Sequence, residues 1–271
     1  MGLRIPHAAT LLDTHPEIPW LELLADNWLA EGGINRYLLD AITERYPCVL
    51  HGVSLSLGAI DPLDFAYLKK IKHLKQHTGA VWYSEHCSFS VHKGLHTPDL
   101  LPLPYISEAV KHVSSRIKQV QDFMGERMLL ENVSSYLSAP GTGMSEGEFL
   151  AAIAEEADCD LLLDINNAYV SEFNNQHSCA ELLAAIPVAR VRQIHLAGYE
   201  DKGNYLLDAH NNPVSEPVWQ HFSGYIHQHG PIPSMIEWDN DLPDVARLLE
   251  EQNRIQRILN QSGNRVVSTC A

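Results

Sequence analysis

At 271 residues, with 45% apolar residues and a formal net charge of −15, the chain has the size of one α/β barrel and the sign of charge that repels phosphate backbones. No Lys/Arg-rich stripe offsets that charge, which argues against a nucleic-acid partner. No apolar run approaches the roughly 20 residues of a membrane helix, and the opening MGLRIPH has no apolar segment of the signal-peptide kind, so neither membrane nor export is expected. The cysteines, Cys48, Cys87, Cys159, Cys179 and Cys270, show no ligand spacing and read as reduced thiols of a cytoplasmic protein.

In chain order, Leu3 to Ile5 is a short first strand before Pro6-His7, and Pro19 to Leu24 is a second that ends in Asp26-Asn27. An apolar-periodic helix follows from about Ile34 to Tyr46. Cys48 to Leu50 begins a strand ending in His51-Gly52, and the spacing of Leu63, Tyr67, Leu68, Ile71 and Leu74 predicts a helix over 61–78, with Asp61 as N-cap and Pro62 at N1. Ala80 to Tyr83 is a strand ending in Ser84-Glu85-His86. A loop with Gly94 and Pro98 then leads to a helix from about Pro104 to Met124.

Met128 to Leu130 runs into Glu131-Asn132. Ser145 to Asp158 reads as a helix opening on a capping box, Ser145-x-x-Glu148. Leu161 to Leu163 ends in Asp164, with Asn166-Asn167 just beyond, and a short helix lies near Cys179 to Ile186. Val191 to Ile194 delivers His195, and a polar loop returns Asp208-x-His210. Val218 to Gln228 is helical, Ser234 to Ile236 ends in Glu237-Trp238-Asp239, and Leu242 to Leu259 closes the fold. Strand alternates with helix about eight times, and the strands are short continuous apolar runs of the kind buried on both faces. The simplest architecture is a single (β/α)8 TIM barrel over 1–260 with a disordered polar tail at 261–271; an open doubly wound sheet is the alternative.

Apolar segments terminate in His51, His86, Glu131, Asp164, His195 and Glu237. In a barrel the C-terminal strand ends converge on one face. Asn167, Asp208 and His210 lie on loops of that face. Any of these alone is an ordinary loop residue. Together they exceed what one metal takes from a protein, and carboxylates packed this closely need cations between them. The donors are N and O without thiolate, which suits Fe, Mn or Zn and does not choose among them.

The stretches HGVSLSLG (51–58), SEH (84–86), DLLPLPY (99–105), LLENVSSYL (129–137), LLLDINNAYVS (161–171), IHLAGY (194–199), PVSEPVW (213–219) and IEWDNDLP (236–243) carry a family resemblance. From about Gly2 to Leu259 the chain resembles the multinuclear non-haem iron-dependent oxidases, long catalogued as a family of unknown function. They include the methanobactin-biosynthesis oxidase and the enzyme that excises a β-carbon from a peptide's C-terminal cysteine. The resemblance implies a xylose-isomerase-like TIM barrel, related to the trinuclear site of endonuclease IV, holding two or three irons as mixed Fe(II)/Fe(III) with O2 as co-substrate. On that pattern His51, His86, Glu131, Asp164, His195, Asp208, His210 and Glu237 match ligand positions, with Glu131 bridging. Asn167 stands where the nuclease relatives carry a His, so the third metal would be the loosest. One departure is Ala25-Asp26-Asn27, where the family usually has Pro-Glu-Asn.

The implied substrate is a cysteine-containing, ribosomally synthesised precursor peptide, often presented by a small leader-binding partner protein. The loops Ala139 to Gly143 and Glu200 to Asn204 are candidate docking surfaces. Asp239 and Asn240, just past Glu237, are candidates for a catalytic base and an orienting amide; the competing role for Asp239 is a helix cap before Leu242. A zinc-dependent phosphoesterase of the endonuclease IV kind is the alternative function, and the acidic charge and Asn167 both count against it. A metal-dependent sugar isomerase lacks a Lys at a strand end, and a non-catalytic metal-binding module would not need so many ligands.

Overall fold

Apolar runs closed by a polar residue become parallel strands, as the periodicity predicts. The structure is a computed structural model that describes residues 1–137 and 143–268, with side chains described to 262. The strands are β1 (Gly2–Leu3), β2 (Leu21–Leu24), β3 (Cys48–Gly52), β4 (Tyr83–His86), β5 (Ser88–His92), β6 (Leu95–Pro102), β7 (Leu129–Glu131), β8 (Asp160–Asp164), β9 (Val191–Leu196), β10 (Glu200–Asp201), β11 (Leu206–Leu207) and β12 (Ser234–Ile236). The helices are α1 (Ile5–Thr14), α2 (Gly33–Thr43), α3 (Phe65–Thr78), α4 (Ser107–Met124), α5 (Glu146–Ala157), α6 (Ile165–Asn175), α7 (Cys179–Ala185), α8 (Glu216–His229) and α9 (Val245–Ser268).

Eight strands pair in the order β1-β2-β3-β4-β7-β8-β9-β12, and every pairing is parallel. β1 and β12 face each other across the remaining seam: a Cβ added at Gly2 would lie 3.4 Å from Met235 Cε and 3.5 Å from the Ile236 carbonyl oxygen. The result is a nearly closed barrel. All residues of β3 and β8 are buried, as a sheet covered on both faces requires. Register aligns the polar ends of neighbouring strands, pairing His86 with Glu131 and Asp164 with His195.

Several elements differ from the sequence reading. α1 directly follows β1; its Pro6 occupies the first turn, where no amide hydrogen is missed. The stretch around Gly94 is a hairpin, β5 against β6, turned at Lys93 and Gly94, both with positive φ. The N-cap of α3 is Asp64 rather than Asp61, accepting from the amides of Ala66 and Tyr67; Asp61 instead accepts from the Lys93 amide. α6 starts directly after β8, where the sequence suggested a loop. α9 continues to Ser268, past the expected end at Leu259, because Leu248, Ile255 and Ser262 keep a buried stripe at helical spacing. Residues 261–268 are part of α9, and Cys270, with the rest of the expected tail, lies outside the described residues. So does most of the Ala139 to Gly143 loop, while Glu200 and Asp201 form β10, paired with β11.

The capping box is present: the Glu148 amide donates to Ser145 Oγ and the Ser145 amide to Glu148 Oε2. Ser145→Ala should lower the unfolding free energy by about 1 kcal/mol in urea denaturation; no change would show that the box does not hold α5.

Glu146, the first residue of α5, is buried, and burial pushes its carboxyl up from 4.5 to about 8, with the Tyr105 hydrogen bond acting in the opposite direction. The folded state thus holds a proton that the unfolded chain releases near 4.5. Its stabilising effect is complete below that pH and is lost as pH rises through about 8. Glu146→Gln should flatten the decline in denaturation midpoint between those limits; an unchanged slope would exclude Glu146 as its source.

Candidate metal centre

Six of the eight barrel strands, β3, β4, β7, β8, β9 and β12, each bring one donor to the same mouth. His51 Nε2 from β3 lies 3.3 Å from Glu131 Oε2, and His86 Nε2 from β4 lies 3.2 Å from the same oxygen. His195 Nδ1 from β9 lies 3.1 Å from Glu131 Oε1 and 3.1 Å from Glu237 Oε2. Glu131 is therefore shared by donors on both sides of it. The second group consists of Glu131, Asp164, His195 and Glu237, and the first of His51, His86 and Glu131.

A third group forms where the Asp208 loop folds back. His210 Nε2 lies 2.8 Å from Asp208 Oδ1, and its Nδ1 lies 3.0 Å from Asp239 Oδ2 and 3.5 Å from Glu237 Oε2. Gly198 lets this loop close onto the barrel, since a Cβ there would meet the Asn212 carbonyl oxygen at 2.0 Å. Asn167 sits just inside α6. Its Nδ2 donates to the Asn132 carbonyl at 3.0 Å, which turns its Oδ1 toward the site. All nine expected ligands thus meet at one cavity mouth or directly beneath it.

The rings are oriented by groups behind them. Ser84 Oγ lies 2.8 Å from His51 Nδ1, and the Gly52 carbonyl lies 3.1 Å from His86 Nδ1. Both rings therefore turn Nε2 inward. His195 is reversed: Glu22 Oε2 contacts its Nε2 at 2.9 Å and Gln193 Nε2 contacts the same nitrogen at 2.7 Å, leaving Nδ1 for the site. Carboxylate-to-imidazole contacts of this kind fix the tautomer of metal-binding histidines. Asn132 pins Asp164 through both its backbone groups.

The electrostatics couple the imidazoles to the carboxylates around them. Burial opposes charging of His86, but Glu131 and Glu85 outweigh it and raise the imidazolium to about 9. His195 is raised well above its ordinary value: burial opposes this, and Glu22, Glu237 and Glu131 overcome it. His210 is raised in the same way by Asp208 and Asp239. Asp164 is held well above the carboxylate range by burial and then by Glu131. Protons thus take the place of positive charge that the carboxylates require.

The donor atoms give the fit test. Asp164 Oδ2 and Asn167 Oδ1 are buried without a hydrogen bond, and Glu131 Oε2, His195 Nδ1 and His210 Nε2 meet only other candidate ligands, an arrangement native proteins avoid unless another species satisfies it. These are hard and borderline donors converging on shared points, and they fit two or three divalent or trivalent ions.

Asp239 and Asn240 line the same cavity, of about 320 Å3. Asp239 does not cap the closing helix, because Asp244 accepts from the Arg247 amide there. It accepts instead from Arg4 and His210, and burial is outweighed by these partners, which hold it below the usual carboxylate range. Asn240 donates to the Ala209 carbonyl and so braces the His210 loop.

Sequence reasoning missed Glu22, Arg4 and Gln193. Glu22 carried a signal, a lone carboxylate inside the apolar run LELL; Arg4 and Gln193 carried none. Asp26, the family departure, accepts from the Val53 amide and the Tyr67 hydroxyl and so ties the β3 loop to α3.

Glu22→Gln should weaken metal binding by about 10–100-fold in a competition titration while the circular dichroism spectrum stays the same; unchanged affinity would show that Glu22 does not orient His195. Asp208→Ala should lower the metal stoichiometry of the folded protein, and full stoichiometry would remove Asp208 from the ligand set.

Comparison with known proteins shows the fold and the family. The chain is 44% identical to a UPF0276 protein of Acaryochloris marina over 96% of this chain and 94% of that one. Among solved structures it resembles a D-tagatose 3-epimerase-like protein (TM-score 0.62, 13% identity, 93% and 92% of the two chains). It also resembles a xylose isomerase domain protein from Planctomyces limnophilus (TM-score 0.58, 12% identity, 96% and 93%). At these identities the two structures establish a xylose-isomerase-like TIM barrel and nothing of the reaction. The family model of the RiPP precursor modification enzymes MbnB/TglH/ChrH matches residues 1–260, so the chain belongs to that family of enzymes acting on ribosomally synthesised precursor peptides.

Proposed function

We propose that the protein is a di- or tri-iron oxidase that modifies cysteine residues of a ribosomally synthesised precursor peptide, with O2 as co-substrate. The observation that carries this reading is the set of buried N and O donors around Glu131, in a chain of the precursor-modifying family. The donor set contains no thiolate, so a substrate thiolate would not compete with a protein cysteine.

In this reading His51, His86 and Glu131 hold one ion, Glu131, Asp164, His195 and Glu237 a second, and Asn167, Asp208 and His210 the loosest third. The ions, as mixed Fe(II)/Fe(III), supply the redox capacity and a Lewis-acid site for the cysteine sulfur. The chain's own residues position and insulate. Glu22 and Ser84 fix ring tautomers, and Asn132 fixes Asp164. Arg4, donating to Glu237 and Asp239, limits the excess negative charge at the mouth.

Asp239, already paired with Arg4 and His210, acts more naturally by orienting His210 than by taking up a proton, and Asn240 keeps the loop in place. A small leader-binding protein would present the peptide at this mouth. Anaerobic reconstitution with ferrous iron, partial oxidation and Mössbauer spectroscopy should give the signal of a spin-coupled mixed-valent pair. A purely mononuclear signal, or metal-dependent cleavage of an abasic duplex by the zinc-loaded protein, would overturn the proposal.

A further inference from the structure

A second cavity of about 420 Å3 lies beside the metal mouth, and its wall is formed by apolar groups such as Phe89, Leu101, Leu103, Tyr105 and Leu137. We propose that this cavity is a specificity subsite, seating a large apolar side chain of the precursor peptide next to the residue held at the metal centre. The inference rests on the peptide-modifying reading of that centre.

Three observations carry it. The two cavities share Asp99, Leu100 and Tyr136 as a common wall, so they adjoin. An extended chain advances about 3.3–3.6 Å per residue, and in the proposal it is the neighbouring residue that crosses this wall. Tyr136 is fixed in place: its hydroxyl accepts from the Asp208 amide at 2.9 Å, which ties the wall to the loop bearing two expected ligands.

The apolar lining is also held open rather than filled. The β5/β6 hairpin sets Phe89 opposite Leu101 in register, while Leu137 is 81% exposed at the rim. Exposed apolar surface in a concave site beside a polar centre marks ligand binding more often than chance exposure. A second copy of this chain or a flat protein partner would cover the metal mouth as well. A peptide side chain fills the cavity and leaves the reacting group at the mouth.

The test uses the iron-loaded holoenzyme, kept anaerobic, and two synthetic peptides, acetyl-Gly-Phe-Cys-Phe-Gly-amide and acetyl-Gly-Ser-Cys-Ser-Gly-amide, titrated calorimetrically. The phenylalanine peptide should bind the wild type at least about tenfold tighter, the scale of a buried aromatic side chain. Leu137→Asp, at a position 81% exposed, and Leu101→Asp should each abolish that preference while iron content and affinity for the serine peptide stay unchanged. Equal binding of the two peptides, no binding of either, or a preference that survives both variants would overturn the subsite. A preserved preference without cysteine oxidation on admitting O2 would instead overturn the proposed chemistry and leave the subsite standing.

Discussion

The constraint on which the structure depends is the mutual repulsion of carboxylates gathered at one barrel mouth. Two like charges about 4 Å apart cost about 4 kcal/mol at an effective dielectric near 20, and Glu131, Asp164 and Glu237 are all buried there with Glu22 beneath them. The protein's own groups relieve it through imidazoles and an Asp164 carboxyl raised to hold protons and through the Arg4 guanidinium on Glu237 and Asp239. Cations would relieve it by direct coordination, using the atoms that hydrogen bonding leaves over.

The barrel makes this arrangement possible because its strands deliver single residues to one rim. Short strands with apolar bodies leave only their last positions for chemistry, and parallel register brings those positions level. The supporting groups also come from barrel strands: Glu22 in β2 reaches across to His195, Ser84 in β4 holds His51 of the neighbouring strand, and Gln193 in β9 contacts His195 two residues on. Glu22, Ser84 and Gln193 thus act on a donor rather than on solvent, which accounts for these polar groups inside strands that otherwise read as apolar.

Much of this was legible in the sequence. The apolar runs ending in His51, His86, Glu131, Asp164, His195 and Glu237 gave both the alternation of the barrel and the donor set, since burial on two faces and a polar terminus leave a local pattern. Groups whose role depends on contacts across the barrel were not legible. Arg4 meets Glu237 and Asp239 more than 230 residues away, and nothing near position 4 announces it. α1 and α6 were hidden because each begins directly at a strand end, without the loop that separates the other elements. The β5/β6 hairpin was hidden because Lys93-Gly94 is an uncommon turn pair beside an exposed strand lacking apolar alternation. The direction in which the Asn167 amide points follows from Asn132, which only the fold brings to it.

The central claim is that Glu131 stands between two metal ions. Its most direct test is anomalous diffraction at the iron edge from crystals loaded with ferrous iron without oxygen. The account predicts at least two peaks, one at coordination distance from His51, His86 and Glu131 and another from Glu131, Asp164, His195 and Glu237. A single peak, or two peaks that do not share Glu131, would contradict it.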